Sequence, residues 1–233
     1  MFDAKKLLDQ FLGSQVPGLS GSVRDRAGQA GEIARNNPLK TGALAAALLG
    51  TKTGRKLAGN AAAVGGIAAI AGLGYLAYRN YQSGKAPQAA PQPQPTQELL
   101  PPPSDSPFHP QSPTLSNSFA LTLVQAMIAA AKADGHIDDG ERAHIMEKVK
   151  ISGLDHEAEA FIEKELSDPL DLDALVAAAK TEEQKVEIYT ASRLTIEPDS
   201  RAERGYLDLL AGRLGLPDAL VDHIEATVSA AKV

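Results

Sequence analysis

The stretch Ala131-Lys-Ala-Asp-Gly-His-Ile-Asp-Asp-Gly-Glu141 decides the fold, because it joins two helical patterns through a turn that contains four carboxylates. Asp138 and Glu141 have the spacing of a capping box. In such a box the first side chain accepts a hydrogen bond from the backbone N–H three residues later, and the second side chain reaches back. Gly135 permits the positive φ at which helices commonly end. The stretch therefore predicts the junction between two helices.

Helical periodicity and helix-stop signals recur on both sides of this turn, from residue 117 to the end of the chain. No segment alternates with period two for long enough to predict a strand. A second box, Ser200-Arg-Ala-Glu203, and a closing Gly215 suggest a faint internal repeat of the two-helix unit. The pattern predicts an all-α, compact bundle of seven helices, with bounds near 119–133, 138–152, 155–167, 172–180, 181–194, 200–214 and 217–231.

The acidic turn is the candidate metal site. Carboxylates clustered within eight residues suit a hard divalent cation such as Ca²⁺ or Mg²⁺, and the residues are Asp134, Asp138, Asp139 and Glu141. The turn is not an EF-hand, because Asp139 stands where that loop requires glycine and Ile145 where it requires glutamate. Two interpretations stay open, namely helix capping alone and a cation site to which His136 could also contribute.

Composition and motifs argue against an enzyme and against a nucleic-acid-binding protein. The chain has no cysteine, which removes thiol nucleophiles and thiolate metal sites. It contains no phosphate loop, nucleophile elbow, zinc-protease helix or dinucleotide fingerprint. Residues 116–233 carry twelve basic and twenty-three acidic residues, and such a domain would repel nucleic-acid phosphates. The sequence therefore predicts no catalytic residue, no organic cofactor and no nucleic-acid partner.

A run without formal charge, Leu57–Tyr78, precedes this domain and predicts a membrane-spanning helix. Twenty-two helical residues rise about 33 Å, which is enough to cross a bilayer core. Nine basic residues lie before the run, so the positive-inside rule predicts a single-pass protein with a cytoplasmic N-terminus and with the acidic domain on the other side of the membrane. Its small residues could also pair helices of two copies of the chain. The alternative is a buried Ala-rich helix that packs onto the bundle.

The predicted organisation has four parts. Residues 1–56 form a basic arm that begins with a short amphipathic helix, and residues 57–78 form the transmembrane helix. Residues 79–116 form a proline-rich linker, which predicts an extended tether. Residues 117–233 form the acidic helical domain. The short apolar run 41–50 could also enter the membrane interface.

The residues Ala133-Asp-Gly-His-Ile-Asp138, followed by Glu141, and the tail Ile188–Asp208 resemble the TerB-like domain of tellurite-resistance proteins. The layout as a whole is similar to the YebE-like bacterial inner-membrane proteins, a family of unknown function with an N-terminal hydrophobic segment and a C-terminal TerB-like domain. The resemblance implies an acidic, metal-binding helical surface linked to envelope or metal stress. The second acidic turn has Leu194 and Thr195 where an Asp-Gly pair would be expected, so the sequence departs from a paired two-turn metal site.

These observations favour a membrane-anchored binding and sensing module that responds to a divalent cation and meets the lipid bilayer and unidentified protein partners. Two alternatives from other classes stay open. One is a metal-dependent hydrolase that uses the acidic turn, and the other is a soluble helical scaffold with no ligand.

Overall fold

A computed structural model describes residues 3–5, 7–8, 66–87, 102–133, 137, 142–143, 145–146, 149 and 156–231. In these residues all regular structure is helical, which confirms the all-α prediction. The helices are α1 Gly66–Gln82, α2 Asn117–Ala131, α3 His156–Ser167, α4 Leu172–Ala178, α5 Glu182–Thr195, α6 Arg201–Leu214 and α7 Asp218–Ala231. The described residues between 142 and 149 are also helical, and the remainder of the predicted helix 138–152 lies outside the described residues.

The predicted stop and start signals set the helix ends. Ser200 Oγ accepts from the backbone N–H of Glu203 at 3.1 Å and the Glu203 carboxylate accepts from the Ser200 N–H at 2.9 Å, so the second capping box is confirmed. Gly215 closes α6 in the left-handed conformation, with φ of 67°. At the N-terminal end of α5 only half of a capping box forms. Thr181 caps the helix, while the Gln184 amide oxygen accepts from the backbone of Lys180.

Helix α5 is the centre of the bundle, because it packs against α1, α2, α6 and α7. Every residue from Val186 to Thr195 is buried. A helix that is buried on all sides has no face left for water. Its polar side chains therefore need partners inside the protein, since an unpaired buried polar group destabilises the folded state.

Most of the polar side chains of α5 find such partners. Ser192 Oγ donates to the backbone carbonyl of Ala126 on α2 at 3.3 Å. Arg193 Nε donates to Glu225 Oε2 on α7 at 2.6 Å, and its Nη1 donates to the carbonyl of Ile196 at 3.0 Å. These bonds fix the positions of α2 and α7 on the central helix.

Helix α1 lies in the core and packs against α5 and α7. Ile70 and Ala77 are fully buried, and all residues from 67 to 78 are buried or half-buried. Gly74 permits a close approach to α5, since a side-chain carbon there would lie 3.3 Å from Val186 Cγ1 and 3.4 Å from Phe108 Cε1. A larger residue at position 74 would push α1 away from α5.

This packing differs from the membrane-spanning helix predicted for residues 57–78. In the described part of the chain, no helix has the length and apolarity that crossing a bilayer requires. A helix that is apolar on all sides fits a protein core as well as it fits lipid, and for this reason the sequence alone did not separate the two. The alternative of a buried Ala-rich helix describes residues 67–78, while residues 57–65 lie outside the described residues.

Residues 102–116, part of the predicted linker, pack on the domain instead of standing apart as a tether. Backbone hydrogen bonds from residue i+3 to residue i recur along the segment, at Ser106, His109, Ser112 and Leu115. Phe108 is 2% exposed. Its ring centroid lies 6.1 Å from that of Tyr75 and 5.6 Å from that of Tyr78. The linker prediction missed this contact, because a single aromatic residue has little weight beside the five prolines of the segment.

The beginning of the chain also contacts the domain. The backbone N–H of Ala4 donates to Asn117 Oδ1 at 2.6 Å, and Lys5 Nζ donates to the carbonyl of Pro110 at 3.4 Å. Leu7 and Leu8 are 1% and 0% exposed and belong to the hydrophobic core. These two leucines of the predicted amphipathic helix therefore pack against the bundle.

The substitution Gly74→Leu is expected to lower the free energy of unfolding by about 1–3 kcal/mol, because the new side chain overpacks the contact between α1 and α5. Urea denaturation of the full chain measures the change.

The matched control is Gly205→Ala on α6, where an added carbon meets nothing within 4 Å. This substitution is expected to raise the free energy of unfolding by about 0.5–1 kcal/mol, since alanine loses less conformational entropy on folding. A neutral Gly74→Leu would contradict the packing of α1.

Candidate functional site at the end of helix α3

The four carboxylates predicted to bind a cation lie outside the residues that the structure describes, and so does His136; they are Asp134, Asp138, Asp139 and Glu141. Their arrangement, and with it the cation site, stays a prediction. The structure does describe both flanks of the turn. Lys132 and Ala133 follow α2 on one side, and Arg142 stands in helical backbone on the other.

Lys132 binds the C-terminal end of α3. Its Nζ donates to the backbone carbonyl of Glu165 at 3.1 Å and also to that of Asp168. Carbonyls at a helix end lack partners within the helix and carry the negative end of its dipole, so a cation stabilises them. Burial lowers the pKa of Lys132, and the negative charges of Glu165 and Asp168 act in the opposite direction.

Arg142 reaches the same helix end from the other flank. Its Nη1 donates to Ser167 Oγ at 3.2 Å, and its Nε is buried without a hydrogen-bond partner among the described residues. The positive charge of Arg142 also contributes to the lowered pKa of Lys132, so the two cations interact. The two ends of the acidic turn therefore converge on the end of α3.

Carboxylates surround this helix end. Glu165 Oε1 accepts from Gln125 Nε2 on α2 at 2.9 Å, and Asp168 forms an ion pair with Lys164. Glu163 is exposed on the same helix. Within the described ranges, no group of three or more His, Cys, Asp or Glu side chains is arranged to hold a metal ion.

A second pair of unusual polar groups lies on α5, and sequence reasoning missed it. Glu187 is 2% exposed, and burial, with a contribution from Glu183, raises its pKa to about 8. The hydroxyl of Thr190, one turn later, is fully buried and has no hydrogen-bond partner in the described part of the chain. The sequence feature that could have indicated a buried carboxylate is the position of Glu187 within the run Val186–Leu194, in which most side chains are apolar or small.

Comparison with known proteins places this chain in a family. A family described as a protein of unknown function, DUF533, matches residues 35–228. The chain belongs to the DUF533 family. The match extends over the uncharged run 57–78 as well as the helical domain. The family is TerB-like, in agreement with the resemblance of the acidic turn.

One relative is a Yersinia enterocolitica protein described as an uncharacterized protein in the ampR 5' region. It is 31% identical over 124 residues, which are 53% of this chain and 89% of that protein. No solved structure matches the chain. These comparisons establish the DUF533 family and leave the function open.

The substitution Lys132→Met is expected to lower the free energy of unfolding by about 1–2 kcal/mol, because it removes a charged donor from the last carbonyls of α3 and keeps an apolar side chain of similar length. Thermal denaturation of the full chain measures the loss.

Lys164→Met on the same helix is the control, since the Lys164 ammonium is exposed and pairs with Asp168 in solvent. It is expected to leave the midpoint of unfolding unchanged. Equal effects of the two substitutions would show that Lys132 does not hold the helix end.

Proposed function

We propose that this DUF533 protein is a membrane-associated binding and sensing module whose acidic turn takes up a divalent cation. The observation that supports the proposal is the convergence of Lys132 and Arg142 on the end of α3. This convergence places the two flanks of a turn with four carboxylates beside the negative end of a helix. A divalent cation is the ligand that such an electrostatic field attracts, since Ca²⁺ and Mg²⁺ prefer carboxylate oxygens.

The two flanking cations do not replace the divalent ion. Lys132 donates to backbone carbonyls of α3, and Arg142 donates to the Ser167 hydroxyl. Their hydrogen bonds therefore serve the helix end. Four like charges within eight residues repel one another, and a bound divalent cation relieves this repulsion.

The substitution Asp138→Asn separates a cation site from helix capping. Asparagine caps a helix as well as aspartate does, but it lacks the negative charge that a hard cation requires. Calorimetric titration of the full chain with Mg²⁺, Ca²⁺ and Mn²⁺ is expected to give binding heat for the wild type. We expect at least a tenfold weaker affinity for Asp138→Asn, with little change in its thermal stability without metal.

Asp199→Asn, in the second acidic turn, is the matched control. Asp199 is exposed beside the capping Ser200, and its substitution is expected to leave metal affinity unchanged. If millimolar metal produces neither heat nor thermal stabilisation of the wild type, the first turn acts as a helix cap only.

The membrane part of the proposal belongs to the residues before α1, because residues 67–78 are buried or half-buried in the domain. Residues 1–56 carry nine basic and four acidic residues, and the run 41–50 is apolar. Basic residues near a membrane surface each contribute about 1 kcal/mol of attraction to anionic lipid. The basic arm and the apolar run together would hold the chain on an anionic bilayer.

Flotation with phosphatidylcholine vesicles, with and without phosphatidylglycerol, tests this attachment. The full chain is expected to float with the anionic vesicles. The triple substitution of Lys52, Arg55 and Lys56 to glutamine is expected to abolish flotation, because it removes the basic residues nearest to the uncharged run on its N-terminal side. The charge-matched control replaces Lys85, Lys185 and Arg201 with glutamine and should still float.

A helical scaffold without a ligand is the second candidate function, and the packing of α1 favours it. In that case neither vesicle composition recruits the chain, and carbonate washing removes it from cell membranes. Resistance to carbonate washing would instead indicate an integral protein, and would mean that α1 leaves the position described here.

A further inference from the structure

The segment 102–116 lies against α5 and against the neighbouring helix α1. On α5, Gln184 Nε2 donates to the backbone carbonyl of Thr114 at 2.8 Å. On α1, Phe108 packs at Gly74, where an added carbon would lie 3.4 Å from Phe108 Cε1 and 3.6 Å from Thr190 Oγ1 of α5. The segment therefore lies along the groove between α1 and α5.

Glu187 lies between Gln184 and Thr190 on α5. It is three positions after the first and three before the second, and at ~100° per residue each step places it about 60° around the helix. This spacing places Glu187 on the strip of α5 that faces the groove along which the segment lies, and Glu187 is 2% exposed.

The charged groups near this strip are few. On α5 itself Glu183 is one turn earlier, and its negative charge opposes ionisation of Glu187. The segment 102–116 contains Asp105 and His109, and the N-terminal residues over it contain Asp3 and Lys5. Helix α1 has no charge before Arg79, whose guanidinium lies 5.5 Å from the centroid of the Tyr75 ring. Among the described residues, Glu183 is the charged group that acts on the ionisation of Glu187.

We propose that Glu187 is a proton-controlled latch for the segment 102–116, which closes on α5 when the carboxyl is protonated and opens when the carboxyl loses its proton. An ionised carboxylate in this strip requires water, because no described cation or donor pairs with it. The segment is the element that can yield, since it consists of turns and lacks the ladder of a helix. Its departure uncovers the tyrosine rings that Phe108 covers.

The direction of the pH dependence follows from the two ionisation equilibria. The pKa of Glu187 rises from an ordinary value of 4.5 to about 8 in the closed form. Between these values the closed form binds more protons than the open form, so it loses stability as the pH rises from 4.5 to 8 and not beyond. With these values the equilibrium constant for opening increases roughly a hundredfold from pH 6 to pH 9.

Hydrogen exchange followed by mass spectrometry on the full chain tests the latch. Protection factors, corrected for intrinsic exchange rates, are measured at pH 6 and pH 9 for the segment's hydrogen-bonded amides, such as those of His109 and Leu115. In the wild type they are expected to fall roughly a hundredfold, as calculated from the shifted ionisation. In Glu187→Gln, which cannot ionise, they should stay constant. The amides of α2 should keep their protection in both proteins.

Glu163→Gln, an exposed carboxylate on α3, is the control and should behave as the wild type does. The proposal is overturned if Glu187→Gln retains the pH dependence, if the wild type shows none, or if α2 loses protection in parallel with the segment. The last result would mean that the whole domain unfolds.

A measurement on the wild type keeps the proposal testable should Glu187→Gln fail to fold. Carbon-13 NMR of the glutamate side-chain carboxyls follows the titration directly. A resonance that titrates near pH 8 and whose titration coincides with the loss of protection in the segment supports the latch. Titration of every glutamate near its ordinary pKa, with the segment closed throughout, rules it out.

Discussion

The burial of α5 on all sides is the constraint on which the rest of the structure depends. A central helix in a domain of this size must carry its polar side chains into the core, and each of them then needs a partner. Ser192 and Arg193 find theirs on α2 and α7, so these bonds set the register of both helices. Thr190 finds none among the described residues. Glu187 is buried as well, and burial raises its pKa. Gln184, which precedes both, is paired with the Thr114 carbonyl of the segment 102–116.

Helix α1 shows why an uncharged run is ambiguous. A helix with Ala, Gly and Ile on every side is compatible with lipid and with a protein core, because neither environment requires a polar face. The deciding feature is local. Gly74 removes the one side chain that would keep α1 from Val186, and this close approach makes α1 part of the bundle. No pattern in the run itself distinguishes a glycine that faces α5 from one that would face lipid.

The helix ends of the domain could be predicted from single residues, because capping is a local interaction. Ser200, Glu203 and Gly215 act as their spacing indicates. The hydrophobic core was harder to predict where long-range contacts decide it. Phe108 lies in a proline-rich segment, and only the fold brings it to Tyr75 and Tyr78. The sequence around Glu187 does not distinguish it from an exposed helix residue. Its burial follows from the packing of elements that are far apart in the chain.

Helix α2 connects the two sites proposed here. Its C-terminal end delivers Lys132 to α3 beside the acidic turn, and the Ala126 carbonyl in its middle accepts from Ser192 on α5. Asn117 at its N-terminal end accepts from Ala4. A shift of α2 along its axis would therefore strain the bond to Ser192. Helix α2 thus joins the flank of the acidic turn to α5, and at its other end it continues directly from the segment 102–116.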